Sequence, residues 1–148
     1  MRLAIMMIGL PFAVAGAEAG PEGALIQCWA VDPLMKVFRD ATPQPNQEAL
    51  AEVARGEYAT LQVVVRAESD MSGLIAQVTP LSLEGSEAKL TPRAPRFVGY
   101  VPVDRPTQRP SKDQLRKPPA DYPDPLLEEN TGDVKAGEAQ PVWVTVRV

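Results

Sequence analysis

An all-β fold, an antiparallel immunoglobulin-like β-sandwich, is predicted by three features of this 148-residue chain. Short runs of alternating apolar residues recur with turn signals between them, which is the pattern of strands in a sandwich. Sixteen prolines are about twice the average share and disfavour a helical bundle. The strongest single run, Arg55 to Ala67, reads as a central strand. In it Leu61, Val63 and Val65 point one way and Gln62, Val64 and Arg66 the other, so apolar bulk reaches both faces. Such a strand needs neighbours on both sides and a second layer over its apolar face.

The chain opens on a segment that reads as a secretory signal peptide over residues 1–19. Arg2 gives a basic start, Leu3 to Ala17 is uncharged and mostly apolar, and Ala15-Gly16-Ala17 and Ala17-Glu18-Ala19 fit a small-residue cleavage pattern. The apolar run falls short of the ~20 residues that a spanning helix needs. The expectation is a secreted or periplasmic protein, with no membrane association after cleavage. Cys28 is not a lipoprotein cysteine by its context, because Gln27 precedes it where a small residue is needed.

Residues 20–148 form the expected sandwich domain. Ala24 to Val31 reads as a first strand, broken by Asp32-Pro33, and Leu34 to Phe38 as a short second one. Asp40 to Asn46, with Pro43 and Pro45, is a loop. Glu48 to Ala54 consists of good helix formers but is only two turns long, and it is read as an extended lead into the central strand. Arg55 and Glu57 flank Gly56 and suit pairing with backbone or with each other.

Leu74 to Thr79 alternates again and is stopped by Pro80, after which Leu81 to Gly85 runs into a turn. Lys89 to Pro92 is a connection, and Phe97 to Val103 is the next strand. Asp104 to Gln140 shows no sustained period and holds six prolines, so it reads as a long loop of the kind that is either functional or disordered. Within it, Ser111 to Lys117 is charged and reads as mobile. Tyr122-Pro123-Asp124-Pro125-Leu126-Leu127 is apolar and stiff, which favours packing. Pro141 to Val148 is a strong final strand, with Val142, Val144, Val146 and Val148 on one side and Trp143, Thr145 and Arg147 on the other.

Chemistry is sparse. The chain has no histidine, which removes the commonest general base and metal ligand, and one cysteine, which excludes an intramolecular disulfide and a cysteine-based zinc site. A net charge of −4 argues against a nucleic-acid surface. No nucleophilic triad, phosphate loop or dinucleotide fingerprint is present. Glu128-Glu129 reads as part of a solvated loop before it reads as a catalytic pair. Asp121 and Asp124 around Tyr122 could contribute to a calcium site, with the ordinary surface reading favoured. Trp143 and Tyr100 could stack on a sugar ring, although a tryptophan on a sandwich strand is more often core. No catalytic residue, cofactor or metal is assigned.

Four segments in order carry a resemblance. They are Trp29 to Val37, the Arg55-Gly56-Glu57-Tyr58 strand, Tyr122-Pro123-Asp124-Pro125-Leu126-Leu127, and Gln140-Pro141-Val142-Trp143-Val144. Together they are similar to the N-terminal β-sandwich domain of glycoside hydrolase family 123 and related bacterial proteins, over roughly Ala24 to Val148. The resemblance implies a non-catalytic accessory domain that packs on a downstream catalytic barrel in cis. The family activity is β-N-acetylgalactosaminidase, by a substrate-assisted mechanism that departs from the two-carboxylate scheme. Its Asp-Glu pair lies in the barrel, no segment here matches that barrel, and no catalytic residue carries over. The family pattern continues past the tryptophan strand with a hairpin that has no counterpart here, so the sandwich is expected to be truncated at its C-terminal edge. The Tyr122 to Leu127 segment is the expected interdomain contact, because a stiff apolar loop buries surface at little ordering cost. The alternative reading is a stand-alone exported carbohydrate-binding or surface-interaction module, with amino-sugar-containing glycans as its partners.

Overall fold

The computed structural model describes residues 25–45, 51–82, 87, 89–129 and 131–148. The expected signal peptide and Glu48 to Leu50 of the Glu48 to Ala54 segment lie outside the described residues. Ala51 to Ala54 is irregular.

Nine strands run through the described residues: β1 (Ile26–Val31), β2 (Tyr58–Ala67), β3 (Met71–Ile75), β4 (Leu81–Ser82), β5 (Lys89–Leu90), β6 (Arg96–Val103), β7 (Ala120–Leu126), β8 (Thr131–Val134) and β9 (Ala139–Arg147). The main sheet has the order β1-β2-β9-β6-β7, and its paired neighbours are all antiparallel. Two small sheets, β3-β8 and β4-β5, form the second layer. The fold is an all-β sandwich.

β2 is interior, as its two apolar faces require, with β1 on one side and β9 on the other. Val63 pairs with Val142 and Leu61 with Val144, so the β2 and β9 residues of one face lie side by side. Over one half of that face the β3-β8 sheet packs Met71, Leu74 and Val134 against Val65, Ala67, Phe97 and Val142. Over the other half Leu81 and Leu90 of the β4-β5 sheet cover Leu61, Val144 and Val146. On the opposite face Trp29, Val31, Val64 and Ala139 are covered by the loop after β1, through Val37 and Ala41.

Several sequence expectations are corrected. Leu34 to Phe38 is not a strand. Asp32 folds it into a turn, accepting the Leu34 N–H on Oδ1 at 2.7 Å and the Met35 N–H on its carbonyl at 2.9 Å. β3 spans Met71 to Ile75 rather than Leu74 to Thr79, although Leu74, Ala76 and Val78 do face the core. Lys89 and Leu90 are paired as β5.

The largest correction concerns residues 104–140. Residues 104–119 are irregular, but β7, β8 and the start of β9 occupy most of 120–140. β7 carries Pro123 and Pro125, which cannot donate to a ladder, and it lies at the edge of the sheet, where no neighbour needs those donors. In the nominally mobile Ser111 to Lys117 stretch, Arg116 is held by Asp40 at 2.7 Å and stacks 4.0 Å from the Phe38 ring centroid. β9 lies between β2 and β6 in the main sheet.

Candidate functional site

On the face of the main sheet that carries Trp143, a groove of about 290 Å³ opens between the turn after β1 and the end of β7. Its position follows from register. Trp143 of β9 pairs with Gln62 of β2 on one side and Arg96 of β6 on the other, so Gln62 and Trp143 share a face. Two residues along β6, Val98 joins them as floor. Leu126 pairs with Val98 across β6 and β7 and therefore stands on the same side, as the far wall.

The near wall is the 33–36 turn, and a buried side chain fixes it to the sheet. Gln62 is 3% exposed, and its Nε2 donates to the carbonyls of Asp32 at 3.3 Å and Met35 at 3.0 Å. A polar group that deep needs such partners. Lys36 spans the groove, donating from Nζ to the Pro123 carbonyl at 3.0 Å and to Asp124 Oδ1 at 2.9 Å. Both side chains of that ion pair are well exposed, so it contributes about 1 kcal/mol or less. Its effect is to set the distance between the walls.

The rim is apolar and open. Leu34 is 88% exposed, Met35 45% and Leu126 37%. An open Leu34 with partly exposed Met35 and Leu126 beside a half-buried tryptophan makes a continuous surface that water wets poorly.

The predicted contact segment divides over this geometry. Pro123, Asp124 and Leu126 line the groove. Leu127 turns to the other face, where it and Pro125 lie over Gly99. A Cβ on Gly99 would sit 2.8 Å from Leu127 Cδ2 and 3.0 Å from Pro125 Cγ, so a glycine is what lets this end of β7 close onto β6. Tyr122 is committed to structure, with its ring edge-on to Phe38 at 5.4 Å and its hydroxyl donating to the Arg116 carbonyl.

The two aromatic residues singled out for sugar stacking are in different settings. Trp143 is half-buried on the groove floor. Tyr100 is covered, with the Arg39 guanidinium 4.1 Å over its ring. Its hydroxyl proton is shared between the carbonyls of Val37 at 3.1 Å and Ala139 at 3.0 Å. Burial pushes the Tyr100 hydroxyl up to about 12, with Glu138, Asp121 and Asp40 adding to the rise and Arg39 opposing it. Tyr100 thus pins the loop after β1 onto β9.

The acidic candidates do not converge. Asp121 faces Arg39 at 3.6 Å and Asp124 faces Lys36, so the two carboxylates are drawn to different cations. Glu128 and Glu129 are exposed in the loop after β7. No group of three or more metal-ligating side chains occurs among the described residues. Glu57 Oε2 accepts the Ala54 N–H at 3.0 Å, the backbone pairing that its place beside Gly56 suggested. Among the described residues no helix is long and apolar enough to cross a membrane.

Gln62 and Lys36, which set the groove's shape, were not singled out by sequence. Gln62 had a readable signal, since a polar residue on the second face of a strand that also buries Val64 must find internal partners. Lys36 had none, because its partners are 87 and 88 residues away. Neither a scan against protein-family models nor a search of curated proteins matches this chain.

Proposed function

We propose that this chain is the non-catalytic N-terminal accessory domain of a secreted glycoside hydrolase resembling the β-N-acetylgalactosaminidases of family 123, and that its groove packs on a catalytic barrel in the same polypeptide. The observation that supports this reading most is the groove itself. Its walls are fixed by Gln62 and Lys36 before any partner arrives, and its rim of Leu34, Met35 and Leu126 is apolar and exposed. A preformed apolar surface loses little entropy on association, which suits docking. Half of the segment expected to make the contact lines it, namely Pro123, Asp124 and Leu126.

The test is the size and activity of the protein isolated from its own cells. The reading expects an exported polypeptide several-fold longer than this chain, with an adjacent Asp-Glu pair in a barrel and hydrolysis of an N-acetyl-β-galactosaminide. A native protein no longer than the chain read here, without that hydrolysis, would overturn it.

A second reading, an exported carbohydrate-binding module, draws on Trp143, which is half-buried at a groove floor beside polar Gln62 and Lys36. Binding to amino-sugar glycans that is lost on Trp143→Ala, with the fold retained, would favour it.

A further inference from the structure

The half of the main sheet beyond the groove carries a different surface. Tyr58 pairs with Arg147, Thr60 with Thr145, and Trp143 with Arg96, so these side chains share the face of Trp143. The loop after β1 covers the other half of this face, and β1 ends where Val31 meets Gln62. Tyr58 is 47% exposed, and Arg96 and Arg147 are exposed.

Arg93 joins the same face from the segment between β5 and β6. Its backbone N–H bonds to the Thr145 carbonyl at 2.8 Å. From there its guanidinium crosses to β2, donating to the Tyr58 hydroxyl at 2.6 Å with its central carbon 4.6 Å from the ring centroid. Three arginines therefore stand on one open face of a protein whose net charge is −4. The ion pairs formed among the described residues use Lys36, Arg39, Arg116 and Lys135, and none uses Arg93, Arg96 or Arg147.

We propose that this face binds an anionic polysaccharide, with the carboxylate or sulfate groups of the sugar on Arg96 and Arg147. Charge complementarity carries the choice of ligand. Unpaired guanidinium groups present a fork that matches carboxylate or sulfate oxygens. Arg147 and Trp143, the partner of Arg96, are four residues apart on one strand, which at about 3.4 Å per residue separates the two cationic ends by roughly 14 Å. That length suits charges repeated along a chain better than a single small ion. Between the ends lie the hydroxyls of Thr60 and Thr145, and an aromatic residue stands at each end, a mixture that fits sugar rings with their polar edges and apolar faces. This inference is independent of docking through the groove, and the two surfaces meet only at Trp143.

The experiment is affinity electrophoresis and titration of the protein against polygalacturonate, which carries carboxylates, and heparin, which carries sulfates as well, with neutral dextran as the control. Binding to at least one polyanion and not to dextran is expected, weakening steeply between 20 and 500 mM salt, on the order of the screening expected for exposed charges. Arg96→Gln with Arg147→Gln should weaken it about tenfold or more, the equivalent of about 1.4 kcal/mol, with the melting temperature unchanged. Lys112→Gln with Lys117→Gln removes the same charge from the exposed 104–119 loop and should leave binding intact. Absence of binding to both polyanions at low salt would overturn the proposal, as would equal weakening by the two double variants. Binding to heparin alone would assign the face to sulfate, and binding to polygalacturonate alone would assign it to carboxylate.

Discussion

Gly132 of β8 lies against Phe97, the largest fully buried side chain of the main sheet. A Cβ at Gly132 would stand 3.0 and 3.1 Å from two ring carbons, closer than packed carbons sit. The ring has no room to retreat, since Val65, Leu74 and Val142 belong to the same cluster. Gly132→Ala should therefore destabilise the fold by about 1–3 kcal/mol, as overpacking does, read as a lower midpoint in urea denaturation. Tyr100 makes a second prediction at this scale. Its hydroxyl is raised from 10 to about 12 in the folded chain, so the folded state keeps a proton that the unfolded state loses. The resulting stabilisation is complete below pH 10 and disappears as pH rises from 10 through about 12. Alkaline urea titrations should show that decline in the wild type and a shallower one in Tyr100→Phe. Neither residue announces its role in sequence. A glycine in a strand signals a close approach without saying to what, and the partners of the Tyr100 hydroxyl are 39 and 63 residues away.

Elements were legible where the period was clean. β2, β6 and β9 were readable because alternating valines and aromatics mark a pleated, buried surface, and β2 is interior as Val64 implied. β7 and β8 were not readable, since the prolines of β7 mask its pairing and Thr131 to Val134 is too short to show a period. The turn after β1 was mistaken for a strand because its apolar residues are there for a different reason. Val37 and Phe38 go down into the core, while Leu34 and Met35 go out to the groove rim. The rim gives the prediction at this scale. Leu126 is partly exposed at the edge of β7, so Leu126→Asp should change the chain's own stability by about 0.5 kcal/mol or less. Under the proposed docking, it should weaken the joint between this sandwich and a barrel in the same polypeptide, seen as two separate thermal transitions where the wild type shows one. A single unchanged transition would remove Leu126 from the contact.

At the scale of the whole molecule, the sandwich uses one strong sheet and covers it unevenly. One face is roofed by the β3-β8 and β4-β5 sheets, and half of the other by a loop held down by Val37 and Tyr100. What remains uncovered is an apolar groove next to an arginine-bearing strip. The fold class was readable from composition and alternation. The groove was not, because it is built from four distant segments and a buried glutamine, and only the Tyr122 to Leu127 part of it stood out. Docking of a second domain on this groove is most directly measured by amide hydrogen exchange, comparing the native full-length protein with this chain alone. Slower exchange at Leu34 to Lys36 and Leu126 in the full-length protein, with β2 and β9 equally protected in both, is the predicted result. Equal exchange at the groove rim in the two would contradict docking there.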